Sequence, residues 1–174
     1  VSQRVKDSVS INEYARGLRL AGEVVRYLVQ GNGALTFGVS SAQVFCFSRE
    51  GLASPDIQLL FSPASYDERV FGTLEKKPGA TIAVSIARPD SRGTIMATSP
   101  DPKARPSIKP NYLSAPGDMA VALAGIAHAR RIFGQSAFAK HAAHEISPGP
   151  EVQTEEELQD FVRRNGTTLY HPVG

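Results

Sequence analysis

The chain has 174 residues, 41% hydrophobic and 21% charged, with a formal net charge of +2. That length and balance suit one folded domain with a real core and exclude a globally disordered chain. The basic pairs Lys76–Lys77, Arg130–Arg131 and Arg163–Arg164 are scattered, so no clustered stripe marks a nucleic-acid partner.

A single cysteine, Cys46, excludes an internal disulfide. It lies in the apolar run Val44-Phe45-Cys46-Phe47, where a buried inert thiol is expected, and it fits a reducing compartment. No stretch is long and apolar enough to span a membrane, and no signal-peptide pattern opens the chain. A cytoplasmic location is therefore expected, with peripheral membrane association of a longer protein left open. The chain starts without an initiator Met and stops abruptly at His171-Pro172-Val173-Gly174. Both ends are expected to be cut points in a longer protein.

Tyr14, Leu18, Ala21, Val25 and Leu28 recur at spacings of three and four, which puts them on one helical face. Ser10 and Glu13 have capping-box spacing and Gly31 is a stop signal, so a helix is expected from about 11 to 30. The middle reads as sheet. Val44 to Phe47 is β-prone, Ile57, Leu59 and Phe61 alternate after Pro55-Asp56, and Ile82, Val84 and Ile86 alternate after Pro78-Gly79. Thr94 to Thr98 is a shorter candidate strand, and the compact Arg88–Gly93 segment before it points to antiparallel neighbours.

Residues 99–117, rich in Pro, Ser, Asp and Gly, read as an ordered series of turns. Helix is expected to resume with Asp118 as N-cap and Met119, Leu123, Ile126 and Phe133 on its apolar face, with a short helical piece over 136–143. The last helix has the strongest signals. Thr154 and Glu157 form a capping-box pair, Glu155 and Glu156 sit in the first turn, Arg163 and Arg164 in the last, and Asn165-Gly166 stops it. Strands followed by helices predict an α+β fold, a mostly antiparallel sheet covered by helices, in a single domain over 1–174. No GxGxxG fingerprint, GxxxxGK[ST] loop or dense Cys/His cluster occurs, so a nucleotide site built wholly within these residues is not expected.

Four histidines are present. His128, inside a helix, reads as a packing or surface residue. His141 and His144 are three apart but lack a third ligand, so no metal site is expected. His171 stands apart because it follows a well-delimited helix and precedes Pro172, which restricts its backbone. It is a candidate base. Phe37, Phe45, Phe47 and Phe61 are candidates for a substrate-side wall, with core packing the competing role.

Several segments together resemble the glucose–methanol–choline (GMC) oxidoreductases, above all their choline dehydrogenase-like alcohol dehydrogenases. They are Pro55-Asp56-Ile57-Gln58, Arg88-Pro89-Asp90-Ser91-Arg92-Gly93, Asp101-Pro102 through Pro110-Asn111-Tyr112-Leu113, Glu145-Ile146-Ser147-Pro148-Gly149-Pro150, and Thr168-Leu169-Tyr170-His171-Pro172-Val173-Gly174. Each is weak by itself; their order and spacing over almost the whole chain are specific.

The resemblance implies the C-terminal, substrate-binding region of an FAD enzyme that oxidises a CH–OH group to a carbonyl, with hydride passing to flavin N5. It makes His171 the catalytic residue, taking the hydroxyl proton or stabilising the alkoxide. It adds Tyr170 to the substrate-pocket candidates and makes Pro172, Val173 and Gly174 cofactor-adjacent. Arg88, Ser91, Arg92 and Gly93 are expected mainly to build a hairpin, and Asn111 and Tyr112 to tie down the long loop. The FAD fingerprint and the second catalytic His or Asn of the family are absent here. The chain alone is therefore expected neither to hold FAD tightly nor to turn over a small alcohol. The alcohol and the electron acceptor are left open. The alternative is a noncatalytic ligand-binding or protein-interaction domain reusing the fold.

Overall fold

Two alternating segments, each introduced by a Pro-containing turn, form the centre of the sheet. The computed structural model describes residues 1–7, 10–38, 40–67, 72–168 and 170. Its strands are β1 (Ser2–Val5), β2 (Ala42–Cys46), β3 (Ile57–Ser62), β4 (Gly79–Ile86), β5 (Thr94–Met96), β6 (Ser107–Lys109) and β7 (Ala142–Ser147). Its helices are α1 (Ile11–Tyr14), α2 (Gly17–Gln30), α3 (Pro116–Phe133), α4 (Ser136–Ala139) and α5 (Glu155–Asn165). A five-stranded sheet has the order β2-β3-β4-β1-β7, and β5-β6 form a separate two-stranded ribbon. All the pairings are antiparallel. The expected α+β class and helix-covered antiparallel sheet are therefore what the chain forms.

Register gives the sheet two unlike faces. Ile57 pairs with Ile86, Leu59 with Val84 and Phe61 with Ile82, so the apolar rows of β3 and β4 coincide. Helix α3 covers this face with Val121, Ala129 and Phe133, and Phe138 closes one end against Phe133 at a centroid distance of 4.8 Å. Burying each of the large apolar side chains contributes about 1.5–3 kcal/mol. Gly125 lets the helix approach, because a Cβ there would run into Cγ1 of Val84.

Helix α3 begins two residues before Asp118. Pro116, which has no N–H to leave unpaired, takes its first turn. Asp118 lies inside that turn because its carboxylate is used by a neighbouring loop. The last helix forms as its caps predict: Thr154 Oγ1 accepts the Glu157 N–H at 3.2 Å, and Glu157 Oε2 accepts the Thr154 N–H at 2.9 Å.

Three expectations change. The helix over 11–30 is broken into α1 and α2, with Gly17 in left-handed backbone at φ +57°. Its apolar stripe is turned outward, with Leu18 92% and Leu28 75% exposed. The strand at Thr94 does not join its predecessor β4. It pairs forward with β6, and the Arg88–Gly93 segment links the two sheets instead of closing a hairpin. The helical piece over 136–143 stops at Ala139, and β7 follows, held in the sheet by β1.

The tight α3–β4 contact predicts that Gly125→Ala destabilises the domain by overpacking, by about 1–3 kcal/mol. Urea unfolding followed by circular dichroism should show a lower midpoint with little change in slope.

Candidate functional site

The site is best built from the face of the sheet that α3 does not cover. Alternation puts Gln43 and Phe45 of β2, Gln58 and Leu60 of β3, and Thr81, Ala83 and Ser85 of β4 on that side. Phe45 lies opposite Gln58, which lies opposite Ser85; Gln43 lies opposite Leu60, which lies opposite Ala83. Gln58 Nε2 donates to Gln43 Oε1 at 3.0 Å, and the hydroxyls of Ser2 and Thr81 meet at 3.0 Å on the same side. Farther along, Arg4 and His144 are opposite each other on β1 and β7. Arg4 pairs with Glu75 at 3.0 Å.

The phenylalanines singled out in the sequence separate. Phe45 is on the open face and exposed. Phe47, one residue past β2, is also exposed, and its carbonyl meets His128 Nε2 at 3.1 Å. Phe37 is exposed in the loop after a 3-10 turn at Ala34–Thr36. Phe61 turns the other way, edge-on to Phe138 at 6.3 Å, within the packing under α3. Tyr170 is exposed, in left-handed backbone, and its N–H donates to Thr168 Oγ1 at 2.9 Å. His171, Pro172, Val173 and Gly174 lie outside the described residues.

The arginine–serine turn is held from below. Asp118 is 2% exposed, and its two carboxylate oxygens accept the N–H groups of Asp90 at 2.7 Å and Ser91 at 3.0 Å. Ser91 Oγ accepts the Ala115 N–H at 3.0 Å, at the start of α3. Arg92 folds back onto the carbonyl of Pro89 at 2.7 Å, and the Asn111 amide donates to the Arg92 carbonyl at 3.0 Å. A Cβ on Gly93 would come within 2.6 Å of the Pro110 carbonyl oxygen. Asn111 and Leu113 take left-handed backbone, at φ +56° and +57°. Arg88 and Tyr112 are exposed. The sequence showed this turn but not Asp118 as its anchor, since a carboxylate near a helix start reads locally as a cap.

Other charged groups serve similar ends. Asp56 of the Pro55–Gln58 segment accepts from Ser48 N–H at 2.7 Å and Ser48 Oγ at 2.5 Å, closing the turn between β2 and β3. Arg130 and Glu145 pair at 2.7 Å, tying α3 to β7. His141 precedes β7 and His144 is within it, so they are not on one helix face. Among the described residues no three His, Cys, Asp or Glu side chains gather as a metal site. Cys46 faces the helix side opposite Ile57, and burial, with Asp56 nearby, raises its thiol pKa, the opposite of activation. A separate cleft of about 320 Å³ between α3 and α5 is lined by Met119, Leu123, Glu155, Gln159 and Arg163 among others. Met119 and Leu123 therefore face this cleft, while Val121, Ala122, Ile126, Ala129 and Phe133 are the buried residues of α3.

The turn anchored by Asp118 lies in a region matched by a family model: residues 89–174 match the GMC oxidoreductase C-terminal domain. The chain belongs to the GMC oxidoreductase family. It is 36% identical to choline oxidase of Arthrobacter globiformis over 135 residues, 75% of this chain and 25% of that protein. It is 36% identical to alcohol dehydrogenase (acceptor) of Pseudomonas putida over 148 residues, 85% of this chain and 27% of that protein. The chain thus spans about a quarter of the length of these relatives. A structure of Aspergillus oryzae formate oxidase, studied for its FAD modification, superposes with a TM-score of 0.81 at 20% identity, covering 99% of this chain and 35% of that one. That likeness supports the GMC fold.

The family implies FAD, and the described residues divide on whether they fit it. Among the described residues, the starts of α3 and α5 offer no cradle for a pyrophosphate. The first turn of α3 carries the buried Asp118 carboxylate and that of α5 carries Glu155, Glu156 and Glu157. Both helix starts thereby repel an anion that such starts otherwise attract. Helix α2 has no acid in its first turn, and the guanidinium of Arg16 before it donates to the carbonyls of Leu74 and Glu75.

Asp118 yields a pH prediction. Burial pushes its carboxyl up, but bonds from Ser91 and from the Asp90 and Ser91 amides outweigh burial and hold it below the ordinary value. Its stabilisation is therefore full above the unfolded-state pKa of about 3.9 and is lost as pH falls through the lower folded-state value. Asp118→Asn, which replaces one acceptor oxygen with a donor facing an N–H, should cost about 1–3 kcal/mol near neutrality and flatten the acid limb of a stability–pH curve.

Proposed function

We propose that this chain is the substrate-side part of an FAD-dependent alcohol oxidoreductase, with the FAD-binding portion elsewhere in a longer protein. The observation that carries the reading is the 36% identity to choline oxidase and to alcohol dehydrogenase (acceptor). FAD, when bound, supplies the hydride acceptor at N5 for oxidation of CH–OH to a carbonyl. This chain's contribution is to seat and orient the alcohol and to manage its hydroxyl proton.

His171 is the residue assigned to that proton. A neutral imidazole accepts it as the C–H bond breaks, and the resulting cation stabilises alkoxide character on the same oxygen. Its position in the Tyr170–Gly174 segment, inside the family match, supports the assignment. The open face between Phe45 and Thr81 supplies the wall against which the carbon skeleton rests. Tyr170 and Phe37, both exposed, are further wall candidates, and Pro172, Val173 and Gly174 are assigned to the flavin side. The outward stripe of α2 (Leu18, Val25, Leu28) is assigned to contact with the rest of the protein.

The purified chain by itself should show no flavin absorbance. A longer protein carrying it should show oxidised flavin that one alcohol bleaches under anaerobic conditions. In that protein, His171→Ala should lower kcat by about 10²- to 10⁴-fold while leaving flavin content intact. Unchanged kcat would remove the role given to His171, and a flavin-free longer protein would remove the reading as a whole.

A further inference from the structure

We propose that a pocket on the helix-covered side of the sheet is a second binding site, for a small aromatic molecule bearing one hydroxyl, with ring nitrogen Nδ1 of His141 as its hydrogen-bonding partner. The pocket has a volume of about 160 Å³ and lies between the sheet, the short helix α4 and Ser10, which precedes α1. Val5, Phe61 and Ala80 give it a wall from the core side of β1, β3 and β4, and Phe138 of α4 adds a second ring. The face read as the substrate wall is the other side of the same sheet. The two sites are therefore separate, and this inference stands without the flavin reading.

His141 is the group that marks the pocket as a site. It connects α4 to β7 and its backbone is fixed from both sides: its N–H donates to the Phe138 carbonyl and its carbonyl accepts the Lys6 N–H, each at 2.8 Å. Its side chain lines the pocket, where Nδ1 is buried and, among the described residues, meets no hydrogen-bond partner. A polar atom buried in that way is costly, so a ligand hydroxyl beside it is favoured. A neutral imidazole presents Nδ1 as donor in one tautomer and acceptor in the other, and a hydroxyl answers either. Ser10, the other polar side chain of the pocket, is already satisfied. Its Oγ donates to Asn12 Oδ1 at 3.2 Å and accepts the Gly79 N–H at 3.3 Å.

Size and lining choose the ligand class. The share of liquid volume taken by one water is about 30 Å³, so a single water does not fill this pocket, whereas a cavity of about 150 Å³ holds a benzene ring. The rings of Phe61 and Phe138 stand edge-on at 6.3 Å, an arrangement that a third ring extends by the same edge and offset contacts. One hydrogen-bonding atom set among apolar walls asks for an apolar body with one polar group. Phenol is such a molecule, and it is the probe that the geometry names.

The test uses the longer protein that carries this chain and needs no turnover. Phenol is compared with toluene, which has nearly the same shape and no hydroxyl. Titration calorimetry gives Kd for each, and NMR of ¹⁵N-labelled histidine rings reads Nδ1 of His141 directly. Phenol should bind saturably and move the Nδ1 resonance, and toluene should bind while moving it far less. His141→Phe keeps a ring of similar size without the nitrogen. It should weaken phenol by about fivefold, the worth of one hydrogen bond, and leave toluene within about twofold. Ala80→Leu puts a larger side chain into the pocket and should weaken both by about tenfold or more. No saturable phenol binding to the unaltered protein overturns the proposal, whether waters or a side chain from the rest of the protein fill the pocket. Equal losses for phenol and toluene in His141→Phe overturn the hydrogen bond to Nδ1, and unchanged binding in Ala80→Leu puts the ligand elsewhere and overturns the site. Should Ala80→Leu fail to fold, the Nδ1 resonance of the unaltered protein decides. None of these readouts involves flavin reduction, so failure here and failure of the alcohol oxidoreductase reading are told apart.

Discussion

Everything else in this domain depends on the coincidence of two apolar rows. Ile57, Leu59 and Phe61 on β3 fall opposite Ile86, Val84 and Ile82 on β4, so one side of the sheet is continuously apolar and must be covered. Helix α3 covers it, and the missing side chain at Gly125 sets how close it comes. A one-residue slip of either strand would send its three apolar side chains to the open side, so the register is strongly specified. Gln43, Gln58, Ser85 and Thr81 lie on the open side because their neighbours in sequence alternate onto the side that α3 covers.

The same helix carries the second constraint. The Arg88–Gly93 segment leaves β4 and enters the β5–β6 ribbon with few neighbours of its own. Its backbone amides at Asp90 and Ser91 find their acceptor in Asp118, in the first turn of α3. Ser91 answers by accepting from Ala115. The helix and the turn thus hold each other, and a family motif expected to build a hairpin turns out to be a joint between sheet, ribbon and helix. The Pro55–Gln58 motif has a similar use, since Asp56 closes the turn before β3.

The sequence was legible where the determinants are local. Thr154 and Glu157 sit three residues apart and meet each other without any tertiary contact, and α5 forms between the expected caps. The alternation of β3 and β4 was equally plain. β1 and β7 were not seen, because Ser2–Val5 and Ala142–Ser147 are short and mixed in character and are strands only through pairing with each other and with β4. The Thr94 strand was seen but its partner was not, since turn length does not say which neighbour a strand will take. Parity of the alternation already separates Phe61 from Phe45, but only once β2 is known to lie against β3 in that register. The role of Asp118 needed the tertiary structure, because its partners are 27 and 28 residues away.

The placement of acids unifies the site with the scaffold. Asp118, Asp56, Glu23 and Glu145 are used within the fold: two close turns, Glu23 accepts the Ala34 N–H at the start of the 3-10 turn, and Glu145 ties α3 to β7. For Asp56 and Asp118, hydrogen bonding outweighs burial and keeps the carboxyl below its ordinary pKa, so each holds its charge by being surrounded with donors. A carboxylate so satisfied exerts little pull on a ligand beyond its own donors. These four acids, among the described residues, are spent on holding turns and elements together.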